Sequence, residues 1–245
     1  MNGQSSDQRW WAKAILVGGV IGLASIAIGA LGTKFGLWAF TIGLGLFALG
    51  GALGILGVVL GLIALIATFS KKLPAARASV STGLILCAVI AGVFGSQFLA
   101  ARSVPPIHNI STDTNDPPAF DQIVALRGDN SNPLEYTAAL AEQQKGAYPD
   151  LQPLTTNTAP GEVFNRAKGV LEGMDLEIVN ANADAGLIEA TATTFWMGFK
   201  DDVVVRIRPH EAGSIVDVRS VSRVGQSDIG VNAKRIRSIL DGLRG

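Results

Sequence analysis

Apolar residues run almost unbroken from Ala14 to Ala101, whereas beyond Val104 they either recur at helical spacing or alternate with polar ones. The first half therefore reads as membrane sequence and the second as a water-exposed domain. Between Lys13 and Lys34 lies the uncharged stretch AILVGGVIGLASIAIGALGT, and two more apolar stretches run from Phe35 to Ser70 and from Ala78 to Ala101. Each reaches the roughly 20 residues that a helix needs to cross a hydrocarbon core. Three spans are expected, at about 14–33, 36–69 and 79–101, in an anchor of residues 1–103. The middle stretch of 36 residues would make a helix of about 54 Å against a core of about 30 Å, so one long or kinked helix is expected rather than two spans. More membrane sequence follows the first stretch, which reads as retained and not as a cleaved signal.

In residues 104–245 the pattern predicts a short helix near Pro133–Gln144 and a stronger one in PGEVFNRAKGVLEGM from Pro160. The proline at the start and Val163, Phe164, Ala167, Val170 and Leu171 at helical spacing carry the second assignment. LEIVNA, LIEATATT, GFKDDVVVRIRP and IVDVRSVSRV alternate between turn residues and read as four strands. A last helix, SDIGVNAKRIRSILDGL, has Ile229, Ala233, Ile236, Leu240 and Leu243 on one stripe, with Ser227 or Asp228 as its cap. Helix, four strands and helix joined by short turns predict an α+β two-layer sandwich: an antiparallel four-stranded sheet with two helices packed on it. Residues 104–120, rich in Pro, Asn and Asp, read as an extended N-terminal arm.

Charge sharpens this division. Residues 1–103 hold seven Lys/Arg and one acid, and residues 104–245 hold thirteen Lys/Arg and nineteen acids, although the whole chain is formally neutral. An acidic domain is a poor partner for nucleic acid, whose phosphates are bound mainly by Lys and Arg. Lys71, Lys72 and Arg77 between the second and third stretches, with Arg9 and Lys13 before the first, place both segments on the cytoplasmic side. A multi-pass bacterial inner-membrane protein is expected, with a cytoplasmic N-terminus and a periplasmic C-terminal domain. The spans lack readily ionisable groups, against conduction or active transport by this chain alone. Small residues at four-residue spacing (Gly18 and Gly22, Ser25 and Gly29, Gly50 and Gly54, Gly57 and Gly61) suit close packing of the three helices on one another, or a homo-oligomer through the same faces.

Candidate chemistry lies on the last two strands. Asp201 and Asp202 are neighbours on a strand, so they face opposite ways and cannot form a close carboxylate dyad. Asp217, Arg219 and Arg223 alternate on one face of the next strand, which leads to a helix start at Ser227 and Asp228. Arg206, Asp201, Asp202, Asp217, Arg219, Arg223, Ser227, Asp228 and Asn232 form a candidate polar cluster that could take an anion. The simpler reading makes it a frame in which Asp201, Asp202 and Asp217 pair across the sheet with Arg206, Arg219 and Arg223. No catalytic or metal-binding residue is assigned and no cofactor is expected: His108 and His210 stand in no ligand-spaced motif, and the serines lack a partner base. Phe195 and Trp196 read as core or edge packing. Cys87, the single cysteine, lies in the third span.

The blocks VPPIHNISTDTNDPPAF, AYPDLQPL, GFKDDVVVRI and DVRSVSRVGQSDIGVNAKRI resemble, in order, the signature of the domain-of-unknown-function 1499 family, over Val104 to about Leu243. The resemblance implies the extent of the domain and no activity. A membrane-anchored accessory or scaffold protein whose outer domain binds an envelope or membrane-complex partner is the expected function. An envelope hydrolase or a binder of anionic ligands, using the Asp/Arg cluster, is the alternative.

Overall fold

The computed structural model describes residues 9–244. It divides into two compact units, one made of the chain up to Ala100 with Phe195–Gly198, the other of Ala101–Thr194 with the chain from Phe199 onward.

The first unit is built on three long apolar helices, α1 Trp10–Lys34, α2 Phe40–Ser70 and α3 Pro74–Arg102. The middle apolar stretch thus forms one helix of 31 residues. Burial is inverted relative to a water-soluble bundle. The inward positions are small, among them Gly22, Ser25 and Gly29 on α1 and Gly43, Gly50 and Gly54 on α2, while Val17, Ile28, Leu56, Ile63 and Ile85 face outward. Large apolar side chains suit lipid, and small ones let the backbones approach. A Cβ on Gly50 would stand 2.6 Å from the Gly22 carbonyl oxygen, and one on Gly29 2.8 Å from that of Gly43. Gly54 and Gly57 meet Ile90 and Cys87 of α3 in the same way. Gly18 departs from the expected stripe, since no atom of the described residues beyond its own helix turn lies within 4 Å of its Cβ position.

The second unit is an antiparallel sheet with helices, as the alternating pattern predicts, but the sheet has six strands rather than four. Its long strands are β3 Glu177–Asn182, β4 Leu187–Thr193, β5 Lys200–His210 and β6 Gly213–Ser222. The free edge of β6 is covered end to end by two three-residue strands, β1 Asn109–Ser111 opposite Val221–Arg219 and β2 Leu154–Thr156 opposite Val216–Ser214. Three residues are too few to show a period of two, so only pairing with β6 reveals them. The β3–β4 turn closes on Gly186, whose φ of +61° brings its Cβ position to 2.1 Å from the Ile207 carbonyl oxygen. Glycine suits that position both for its conformation and for its lack of a side chain.

One face of this sheet carries the apolar core. Ile188, Ala190, Val203, Val205, Ile207, Val216 and Val218 pack against α5 Pro160–Gly173 and α6 Val231–Arg244. Val163, Phe164, Ala167 and Leu171 of α5 and Ala233, Ile236, Leu240 and Leu243 of α6 are buried, so both predicted stripes face the sheet. A shorter helix, α4, spans Ala138–Ala147 rather than beginning at Pro133, because Thr137 supplies the cap by accepting from the Leu140 N–H. α6 likewise begins at Val231, later than expected from Ser227, since Ile229 and Gly230 have positive φ and cannot continue a helix.

Candidate functional site

Alternation puts Asp202, Val204, Arg206 and Arg208 of β5 on the sheet face opposite the helices, beside Asp217, Arg219 and Val221 of β6, with Arg223 just past its end. Glu189 and Thr191 of β4 share that face. A charged sheet face would ordinarily look to solvent, yet Glu189, Asp202 and Asp217 are fully buried and Arg219 is 4% exposed. The cover is the arm, which extends past the expected end at residue 120 to about residue 135 and is held by the charges beneath it. Its bonds begin at the Glu189 carboxylate, which accepts from the backbone N–H groups of Asp121 (2.7 Å), Gln122 (2.9 Å) and Ile123 (3.4 Å). These are free donors at the start of a single 3-10 turn, Gln122–Leu126, where a carboxylate acts as a cap. Asn180 donates to the same group.

Asp202 collects the next set. Arg223 donates from Nε and Nη2 at 2.8 to 3.1 Å, Thr191 Oγ1 donates at 3.0 Å, and Arg127 donates from Nη1. Arg223 also reaches the Leu126 carbonyl, which ties the arm at a further point, and Arg127 reaches the Asn132 carbonyl within the arm. Burial pulls the Arg127 guanidinium below its ordinary pKa, partly offset by the adjoining Asp202 carboxylate.

Asp217 stands directly opposite Arg206. Its Oδ2 accepts from Arg206 Nε and Nη2 (3.1 and 3.0 Å) and from Arg208 Nη2 (2.8 Å), while Oδ1 is buried with no partner among the described residues. Arg206 continues outward to the Asp116 carboxylate and carbonyl at 2.9 and 2.7 Å.

Arg219 has no carboxylate within ion-pair distance among the described residues. It donates instead to Asn109 Oδ1 (3.1 Å), the Pro118 carbonyl (3.0 Å) and the Leu134 carbonyl, between the rings of Phe120 and Tyr136. Burial pulls its pKa down to about 10, still well above neutrality, and pushes the Tyr136 hydroxyl up to about 12.

Asp201 lies on the other face, as adjacent strand positions must. It binds Arg235 of α6 at 2.7 Å. Arg235 also donates to Asn232 Oδ1, which Ser220 Oγ reaches at 2.6 Å, and Asn232 Nδ2 donates to Ser222 Oγ and the His108 carbonyl. Asn232 is therefore buried with its side chain fully bonded. Asp228 accepts from the N–H groups of Gly230 and Asn232 at 2.8 Å each, and Ser227 Oγ accepts from the Ile229 N–H at 3.2 Å. Burial is the largest effect on Asp228 and raises its pKa, against those two backbone bonds.

The nine candidates thus separate into two groups on opposite faces. Asp202, Arg206, Asp217, Arg219 and Arg223 lie under the arm, whereas Asp201 ties β5 and Asn232 ties β6 to α6, and Ser227 and Asp228 hold the backbone at the start of that helix. The expected cross-sheet pairs hold for Asp202 with Arg223 and for Asp217 with Arg206. Arg219 is not in such a pair, and Asp201 pairs with a helix residue. Arg127, Arg208, Glu189 and Arg235, equally central, were not singled out by the strand pattern. Arg127 comes from the arm and Arg235 from a helix, so only folding brings them to the sheet. Arg208 and Glu189 carried a local signal, the same alternation that marks Arg206. Phe195 and Trp196 are not core: they are 73% and 71% exposed.

No curated protein matches the chain. The family model described as a protein of unknown function, DUF1499, matches residues 109–243, from the first residue of β1 almost to the end of α6, which is more than half of the chain. The sheet, its arm and its helices are therefore one family domain, and this chain belongs to the DUF1499 family.

Proposed function

We propose that this protein is a membrane-anchored accessory or scaffold protein whose α+β domain docks, through its acidic surface, a partner carrying a basic face. The carrying observation is the direction in which the charges point. Of the nineteen acids in residues 104–245, thirteen are exposed, but of the thirteen Lys/Arg only five are. The arginines turn inward to hold the arm and α6, so the exposed acidic excess is eight where the formal excess is six. Such a surface steers and binds Lys/Arg-rich protein surfaces and repels nucleic acid.

The excess of basic residues before α1 and between α2 and α3 supports a bacterial inner-membrane setting, with the N-terminus cytoplasmic and the domain periplasmic. The partner is then a component of the envelope or of a membrane complex. The alternative, a site for an anionic ligand or substrate, draws on Arg219, which has no counter-ion among the described residues. Its Nε, Nη1 and Nη2 each already donate to a protein oxygen, which favours docking.

The test is size-exclusion of the tagged full-length protein from mildly solubilised membranes at increasing ionic strength. A defined complex at low salt that dissociates as salt rises is expected, because surface charges are screened over about 8 Å at physiological ionic strength. A protein that runs alone at low salt refutes the reading.

A further inference from the structure

The β4–β5 ladder ends at Thr193 opposite Lys200. Beyond it the Thr194 N–H donates to the Phe199 carbonyl, and the Phe199 N–H to Thr194 Oγ1, each at 2.8 Å. The loop is thus closed at its base, and Phe195, Trp196, Met197 and Gly198 form its tip. The two aromatic rings stand edge to face, 5.2 Å apart, and are among the most exposed large apolar side chains of the described residues. A hairpin that buries its aromatics contributes to a core, but this one directs them away from it.

The tip belongs to the helical unit. Within that unit Lys34, the last residue of α1, sets its ammonium 4.5 Å from the Phe195 ring centroid. Phe35 and Leu37, which follow it, are 70% and 71% exposed. Aromatic rings, a leucine and a lysine at the end of an apolar helix are the residues that collect where hydrocarbon gives way to headgroups. Connectivity agrees. Only six residues separate α3 from β1, a reach of about 20 Å at most. The sixth, His108, accepts from the Ser222 N–H, and Ser222 pairs with Asp201 at the base of this hairpin. The chain thus enters the sheet at His108, about two strand spacings, or 10 Å, from the hairpin base.

We propose that Phe195 and Trp196 insert into the headgroup–acyl boundary of the bilayer, so that the hairpin tip is a second membrane contact that fixes the domain against the surface. A tip with two apolar rings, flanked by Lys34 and the exposed Lys200, fits lipid with anionic headgroups, and its occupant is the bilayer itself. This inference needs no protein partner, so it stands or fails apart from the docking function.

The test uses the full-length chain with Trp10, Trp11 and Trp38 replaced by Phe, reconstituted in vesicles of phosphatidylcholine and phosphatidylglycerol. Blue-shifted Trp196 emission, quenched by lipids brominated high on the acyl chain and protected from aqueous acrylamide, is expected. A matched protein carrying Asp184→Trp and Trp196→Phe, with its indole in the exposed turn at the other end of β4, gives the opposite result. Trp196 emission quenched by acrylamide and untouched by bromolipid overturns the proposal, as does emission quenched by neither, which means a protein covers the tip. Should the triple replacement not fold, a nitroxide on Met197→Cys in a Cys87→Ser background reads the same depth: oxygen access above that of a water-soluble nickel chelate supports insertion, and the reverse overturns it.

Discussion

Replacing Asp202 by Ala tests whether the arm is held by buried charge. The carboxylate is fully buried, and its removal leaves two guanidinium groups, of Arg127 and Arg223, whose side chains are 6% and 13% exposed. Both would face the low-dielectric space beneath the arm without a counter-ion, a situation that costs about 3–5 kcal/mol. For a domain of this size each kcal/mol moves the midpoint by roughly 2–4 °C, so a fall of about 10 °C is expected.

The control is Asp150→Ala. Asp150 binds Arg237 with two bonds at 2.6 and 2.8 Å, but the side chains are 54% and 42% exposed. Solvent and salt screen that pair to about 0–1 kcal/mol despite its geometry. The Asp150–Arg237 hydrogen bond is the main reason the Asp150 pKa lies below the ordinary carboxylate value. The small stabilisation is therefore present above that ordinary value and disappears as pH falls through the lowered one. Thermal unfolding of the full-length protein in detergent, followed by near-ultraviolet circular dichroism at neutral pH, measures both variants. Equal losses, or an Asp202→Ala variant within about 1 kcal/mol of the parent, would refute the account of the arm.

Two further outcomes follow from the packing. Arg219→Ala removes the bonds to Asn109, Pro118 and Leu134, so trypsin should cut the arm at Arg127 at least several-fold faster, as local opening becomes cheaper; an unchanged rate would show that the arm does not depend on this clamp. Gly50→Leu forces a branched side chain where a Cβ alone already meets the Gly22 carbonyl at 2.6 Å, so cysteines paired across α1 and α2 should lose their disulfide crosslink, whereas the same change at Gly18, which faces open space, should preserve it.

The membrane half was legible because its signal is local. Twenty apolar residues without charge identify a span wherever it packs, and the length of α2 follows from the absence of a polar break. The four long strands and the two helices on the sheet were legible for the same reason, since period 2 and period 3.6 are properties of neighbouring residues. β1 and β2 were not, because three residues carry no period and become strands only on the edge of β6. α6 starts later than its sequence predicts because Ser227 and Asp228 are good caps in composition, while the positive φ of Ile229 and Gly230 delays the first turn.

The candidate site shows the boundary most clearly. By alternation alone the sequence places Asp201 and Asp202 on opposite faces and Asp217, Arg219 and Arg223 on the same one. It also supplies the excess of acid in the second half. The fate of those charges depends on Arg127, Pro118, Leu134 and Arg235, between 34 and 101 residues away from the groups they bind. Only the tertiary structure brings them together, with the arm closing over the charged face and α6 reaching Asp201. It thereby decides that most arginines are turned inward, onto the buried carboxylates of the sheet and onto backbone carbonyls, while thirteen other acids stay exposed. Desolvation is the physical reason: a buried guanidinium must find oxygen partners wherever the fold provides them, and local sequence does not specify which they will be.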